Sequence, residues 1–222
     1  MTTVPTSFVS DSVARVRALG VLPVVELDSA EDALPLLDAL AAGGLPAAEI
    51  TLRTSAGLDA LRLLRKERPD AFVGTGTVRT LADAERVVDA GAQFVVSPST
   101  YPELIESCVG AGVPAFPGVC TPSEVDAAVR AGAPLVKFFP AEAMGGVPFL
   151  KALAGPIRDV DFVPTGGIDA GNLAAYLELP RVAACGGSWI VAPALLRERA
   201  FDRVEALARE AIGIVAQVRS RG

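Results

Sequence analysis

Apolar residues in this chain come in short runs that recur every twenty-odd positions. The runs cover residues 21–27 (VLPVVEL), 47–53 (AAEITLR), 71–78 (AFVGTGTV) and 93–99 (QFVVSPS). They continue at 113–119 (VPAFPGV), 135–141 (LVKFFPA), 161–167 (DFVPTGG) and 182–190 (VAACGGSWI). Each has the length of a strand buried on both faces. Between them lie Ala- and Leu-rich stretches of helical periodicity, such as SAEDALPLLDALAAGG and TLADAERVVDAGA. Several open on Ser, Thr or Asp followed by acidic residues, as helix N-caps do, and several close on glycine, as C-caps do. The segments AAGG, DAGA, GAGV and RAGA each end a helix and lead into the next strand. No linker, low-complexity tract or shift of composition divides the chain, which predicts one domain over residues 1–222.

Eight strand–helix units in a domain of this length predict an α/β fold, a single (β/α)8 TIM barrel. An open doubly wound sheet is the alternative arrangement. Residues 8–19 read as an extra helix, so that residues 1–20 would cap the bottom of the barrel. Residues 201–218, FDRVEALAREAIGIVAQV, predict a final amphipathic helix.

Composition narrows the function. The chain is 51% hydrophobic and 21% charged, with a net charge of −6. No basic tract or aromatic–basic alternation occurs, so neither nucleic acid nor an anionic membrane is an expected partner. The first residues lack a basic segment followed by an apolar one, and no run is long enough to span a bilayer. Cys108, Cys120 and Cys185 form no CxxC pair, which argues against a disulfide framework or a zinc site and fits a reducing cytoplasm. Histidine is absent altogether. Ser-His-Asp and Cys-His catalysis are thereby excluded, as are most zinc and non-haem iron sites. Acid–base chemistry must use carboxylates, lysine, tyrosine, thiol or water.

The run PLVKFFPAE, residues 134–142, places Lys137 in the middle of a strand that otherwise reads as buried. A lysine there either lies at an edge with its amine reaching solvent, or it has chemistry to do. Function in a barrel collects where strands end and the following loops begin. The second run ends EITLRT, the third GTGTV, the sixth KFFPAE, the seventh PTGGI and the eighth CGGSW. Strand alternation puts Glu49, Thr51 and Arg53 on one face and Leu135, Lys137 and Phe139 on another. Facing inward, an acid, an arginine and a lysine would meet. Glu49 and Lys137 would then form either a plain internal ion pair or a nucleophile with its proton acceptor. A lysine amine is almost fully protonated at neutral pH, so a nucleophilic lysine needs a group that moves its proton. The glycines of TGGI and GGSW, each followed by a helix beginning near Asp169 and Pro193, suit either tight turns or a bound anion.

These motifs, EITLRT, VGTGTV, GAQFVVSP, KFFPAE, VPTGGI and GGSW, resemble in order and spacing those of the 2-keto-3-deoxy-6-phosphogluconate and 4-hydroxy-2-oxoglutarate aldolases. The similarity runs from about Leu22 to Gln217. The resemblance implies a class I lyase that needs no metal or other cofactor, takes a small keto acid and assembles as a homotrimer. It implies Lys137 as the Schiff-base lysine and Glu49 as the proton-transfer residue. Arg53 and Thr77 would hold the pyruvyl carboxylate, and Pro98 and Phe139 would pack around the pyruvyl carbons. Thr165, Gly166, Gly167, Gly187 and Ser188 would serve the distal hydroxyls and phosphate.

Three positions depart from that pattern. Ser99 stands where glycine is common, Cys120 where serine is usual, and Glu26 where the family has an apolar or basic residue. A carboxylate at Glu26 would repel a phosphate nearby, so substrate preference is where the departures bear. A phosphate-binding barrel of other chemistry, or a non-catalytic sugar-phosphate binder, would share the fold. The Glu49, Arg53 and Lys137 set argues against the binder, because binding alone needs no nucleophilic amine.

Overall fold

The computed structural model describes residues 6–221. Residues 1–5, part of the expected N-terminal cap, and Gly222 lie outside the described residues. Every apolar run contains a strand: β1 (Val21–Val25), β2 (Ala47–Thr51), β3 (Phe72–Gly76), β4 (Val95–Val96), β5 (Ala115–Phe116), β6 (Gly118–Val119), β7 (Leu135–Phe138), β8 (Asp161–Phe162) and β9 (Cys185–Gly187). The fifth run yields two strands because Pro117 interrupts it and has no N–H to offer a ladder. Its carbonyl still accepts from the Lys137 N–H at 2.8 Å.

All strand pairs are parallel, in the orders β5-β4-β3-β2-β1-β9 and β6-β7-β8. The result is an α/β fold with a curled parallel sheet. The two-residue alternation of strand side chains sorts the apolar residues into two clusters. Val25, Ala48, Ile50, Val73, Val95, Ala115, Val136, Phe138 and Phe162 belong to a large cluster shared with the helices. Leu22, Ala47, Phe72, Phe94, Phe116, Leu135 and Val163 form a second one on the concave side. Phe94 stacks on Phe116 with centroids 5.6 Å apart and lies 4.7 Å from Phe72. Each fully buried phenylalanine contributes about 1.5–3 kcal/mol.

The helices are α1 (Thr6–Leu19), α2 (Ala33–Ala42), α3 (Gly57–Glu67), α4 (Leu81–Asp89), α5 (Pro102–Gly110), α6 (Pro122–Arg130), α7 (Gly146–Ala154), α8 (Leu173–Leu177), α9 (Pro193–Arg197) and α10 (Phe201–Arg219). Val16 of α1 packs into the concave cluster. Thr80 caps α4, and Thr121 with Glu124 forms a capping box on α6. The four glycine segments behave as the sequence predicts. Gly44, Gly91, Gly112 and Gly132 all have φ between 79° and 94°. The next N–H returns to the last helical turn, as in Leu45 to Leu40 and Ala92 to Val87 at 2.9 and 3.0 Å. This Schellman closure reverses the chain into the following strand.

One boundary differs from expectation. The helix after TGGI begins at Leu173 rather than near Asp169. Asp169 and Asn172 spend their side chains on local turns, accepting from the Gly171 and Asp169 N–H groups at 2.8 and 2.9 Å. Such side-chain bonds compete with the helical ladder and delay its start.

Candidate active site

The two charged groups that the motifs place on β2 and β7 meet on the concave side of the sheet. Lys137 Nζ lies 3.3 Å from Glu49 Oε1. Lys137 is only 6% exposed and Glu49 2%. The alternative of an amine reaching solvent at a sheet edge is therefore wrong. The ammonium also lies 5.5 Å from the centroid of the Phe139 ring, over its face.

Backbone neighbours make the room. Gly74 is level with Glu49 in the β2–β3 pairing, and Gly118 is level with Lys137 in the β6–β7 pairing. A Cβ on Gly76 would come within 2.0 Å of Glu49 Oε1, and one on Gly118 within 2.1 Å of the Pro98 carbonyl. The glycines of GTG and PG are thus clearances, Gly76 for the Glu49 side chain of β2 and Gly118 for the Pro98 backbone that follows β4. Only their spacing hinted at this.

Around that floor stand the remaining motif residues. Pro98 and Phe139 are half-buried at the ends of their strands. Thr77 has φ 60°, a left-handed conformation costing a β-branched residue about 1–3 kcal/mol. Hydrogen bonds on either side hold it there: Leu52 N–H to the Gly76 carbonyl at 2.9 Å and Val78 N–H to the Val96 carbonyl at 3.1 Å. Strain held in this way is commonly found where a site needs it. Arg53 lies beyond the end of β2, exposed at the rim, and is not on the buried face with Glu49 and Thr51. Its Nη1 contacts Glu26 Oε2 at 3.3 Å. A cavity of about 690 Å³ beside it is lined by Arg53, Thr77, Arg79, Thr80, Asp83 and Arg86.

The two glycine loops adjoin. Thr165 and Gly186 form a parallel bridge, and a Cβ on Gly186 would fall 2.2 Å from Thr165 Oγ1. Gly166 and Gly167 have φ of 101° and 79°, and Gly167 and Ser188 are exposed while Gly187 is buried. The loop after β7 is tied to them, Ala141 and Glu142 donating to the carbonyls of Thr165 and Gly166 at 2.8 and 3.0 Å. The buried Tyr176 of α8 donates its hydroxyl to Glu142. Burial, then the Glu142 hydrogen bond and charge, push the Tyr176 hydroxyl up, so it remains a donor. Neither the Tyr176–Glu142 contact nor the Glu26–Arg53 contact was visible in the sequence, since no strand alternation or motif brings either pair together.

The thiols are poor rivals to the amine as nucleophile. Burial raises the pKa of Cys108 to about 11 and pushes Cys185 up further. Cys120, just after β6, is raised by burial and then by the Glu124 carboxylate. Among the described residues, no group of three His, Cys, Asp or Glu side chains is placed to hold a metal ion.

The sequence model of the KDPG and KHG aldolases matches residues 13–207. The chain belongs to that family. A 2-dehydro-3-deoxy-phosphogluconate aldolase of Pseudomonas aeruginosa is 47% identical over 206 residues, 91% of this chain and 92% of the relative. The solved KDPG aldolase of Legionella pneumophila holds pyruvate as a covalent carbinolamine intermediate. It matches with a TM-score of 0.87 at 42% identity, covering 90% of this chain and 97% of that one. The enzyme of Zymomonas mobilis, solved with 3-phosphoglycerate, matches with a TM-score of 0.83 at 38% identity, covering 91% and 95%.

The clearance at Gly76 generates a test. Gly76→Ala must push the Glu49 carboxylate off the Lys137 amine, because the new Cβ claims its oxygen's position. Aldolase activity is expected to fall about 10²-fold, the scale of a 1 Å misplacement in a catalytic site. Steady-state kinetics beside urea denaturation check this; a folded variant with unaltered kcat would show that the carboxylate's position is immaterial.

Proposed function

We propose that this chain cleaves 2-keto-3-deoxy-6-phosphogluconate to pyruvate and glyceraldehyde 3-phosphate through a Schiff base on Lys137. By the same chemistry it would split 4-hydroxy-2-oxoglutarate to pyruvate and glyoxylate. The observation that carries the proposal is the buried Lys137 amine, 3.3 Å from Glu49.

Glu49 accepts a proton from the Lys137 ammonium, freeing the amine. The amine attacks the C2 ketone, and the carbinolamine loses its hydroxyl as water when Glu49 returns the proton, leaving an iminium. The C4 hydroxyl then gives its proton to Glu49, directly or through water. The C3–C4 bond breaks, its electron pair flows into the iminium, and the aldehyde leaves. Protonation of the enamine at C3 and hydrolysis release pyruvate and restore the amine. Because the iminium is the electron sink, the cycle draws on no metal or organic cofactor.

Arg53 suits the substrate carboxylate because a guanidinium offers several donors in one plane, and Thr77 stands beside it. Pro98 and Phe139 supply apolar walls for the pyruvyl carbons. Thr165, Gly166, Gly167, Gly187 and Ser188 receive the distal hydroxyls and phosphate. The positive φ of Gly166 and Gly167 favours this assignment, since such backbone turns present N–H groups to an anion. The Zymomonas mobilis relative, solved with a phosphate-bearing acid, favours it too.

The curled sheet is taken to close as one (β/α)8 barrel domain. Support comes from the parallel bridges Phe162–Val182 and Thr165–Gly186, which join the seventh run to the eighth. Val16 in the concave cluster supports α1 as the cap over the barrel's lower end. Free cysteines fit a cytoplasmic location, and no described helix is long and apolar enough to cross a membrane. A homotrimer is inferred from the family resemblance. Sedimentation should give three times the 22.8 kDa chain mass; a stable monomer at micromolar concentration would overturn the assembly and leave the chemistry untouched.

Pyruvate with borohydride should inactivate the enzyme by reducing the imine to a stable amine. The chain has three lysines, Lys66, Lys137 and Lys151, and two of them are exposed. Peptide mapping is expected to place the adduct on Lys137 alone. Lys137→Arg keeps the charge but forms no imine, and should abolish trapping and cleavage together. An unmodified Lys137, or an active arginine variant, would turn the reading toward a sugar-phosphate binder or another barrel chemistry.

Glu49→Gln cannot accept a proton at any step. Cleavage and pyruvate C3 proton exchange should both slow by about 10²–10⁴-fold. A change within twofold in both assays would remove Glu49 from proton transfer.

A further inference from the structure

Glu26 stands at the end of β1, next to β2 in the sheet, and its carboxylate already holds the arginine assigned to the substrate. The contact is Arg53 Nη1 to Glu26 Oε2 at 3.3 Å, with the two side chains 47% and 38% exposed. One nitrogen is engaged, and the guanidinium has further donors that a second carboxylate could take. The carboxylate of a 2-keto acid and that of Glu26 are alike in charge and in the donors they seek. Two such anions at one rim arginine repel each other, so binding one weakens the other.

We propose that Glu26 is a specificity-determining residue that acts as an internal competitor for Arg53 and sets the affinity of the site for keto-acid carboxylates. This rests on Arg53 serving the substrate carboxylate, as proposed above. Release of Glu26 costs little, because an exposed ion pair in water contributes little stability. The side chain also has another place to go. A hollow of about 140 Å³ is lined by Glu26 together with Asp28, Asp32, Pro193, Arg197 and Arg199. Arg199 is already paired with Asp32, leaving Arg197 as the second cation that Glu26 can face there. The acid therefore has one cation on each side, and the incoming carboxylate decides which it faces.

The test is Glu26→Gln, which keeps shape and removes charge. KM for the keto-acid substrate, and the pyruvate concentration giving half-maximal borohydride trapping on Lys137, should both fall about two- to fivefold. The change should lie in KM far more than in kcat. In an Arg53→Ala background the same substitution should move neither quantity. If Glu26 merely braced Arg53, its loss would raise KM, and that result would overturn the proposal. So would an equal fall in the Arg53→Ala background, since Glu26 would then act without the arginine. If neither the parent nor the variant traps pyruvate, the Schiff-base reading fails first and takes this proposal with it. Trapping that is unchanged by the substitution overturns the Glu26 proposal alone.

Discussion

Two opposite charges lie almost out of reach of water at the centre of this protein. Lys137 and Glu49 are each a few percent exposed and touch through a single contact. Burying two ions costs several kcal/mol each after relaxation, and one 3.3 Å contact repays that poorly. The fold has to supply the remainder. Each charged residue sits between apolar neighbours that point the other way, Ala48 and Ile50 around Glu49, Val136 and Phe138 around Lys137. Those neighbours are locked among the helices, so neither backbone can drift to relieve the pair.

The level below the pair is filled by rings, and the level beside it carries no side chains of its own. Phe72 and Phe116 point to the concave side, and the residue two further along is glycine in both strands, Gly74 and Gly118. These glycines pair in register with Glu49 and Lys137. Large rings thus make a floor, and glycine at the next level lets neighbouring groups close in: a Cβ on Gly74 would meet the Phe94 carbonyl and ring at 2.4–2.5 Å, and one on Gly118 the Pro98 carbonyl at 2.1 Å. An alanine at either position would collide with those groups, so this level tolerates no side chain.

What could be understood from the sequence follows from what is local in the physics. Strand and helix rhythm, glycine closures and capping residues all depend on a few neighbouring residues, and they appear where the runs predict. The buried lysine was legible because its neighbours Val136, Phe138 and Leu135 leave no polar face for it. Contacts between distant segments were mostly not; the Glu49–Lys137 meeting could be anticipated only because strand alternation puts each on an inward face. Glu26 could be seen as an odd residue at the end of β1, but its grip on Arg53 required the register of β1 against β2. Tyr176 carried no sign that it would reach Glu142 across 34 positions. The late start of α8 was missed because Asp169 reads equally well as an N-cap or as a turn residue, and Asn172 decides for the turn.

The two acid–base pairs differ in depth, and depth sets what each can do. Glu26 and Arg53 are at the rim, where water stabilises either partner alone, so they can part and exchange partners. Lys137 and Glu49 are buried, where a lone charge is strongly disfavoured. In the proposed cycle they never need to carry one. Ammonium with carboxylate sums to zero, as does neutral amine with carboxylic acid. The carbinolamine forms beside the neutral acid, the iminium beside the carboxylate, and the enamine beside the acid again. Each step moves a proton or an electron pair between partners within the pocket and leaves its net charge unchanged, once the substrate's own carboxylate is held at the rim by Arg53. A glutamine at position 49 could fill the space but could not alternate. That alternation, more than the static ion pair, explains why a carboxylate is buried against the amine at a site that apolar residues could have filled at lower cost.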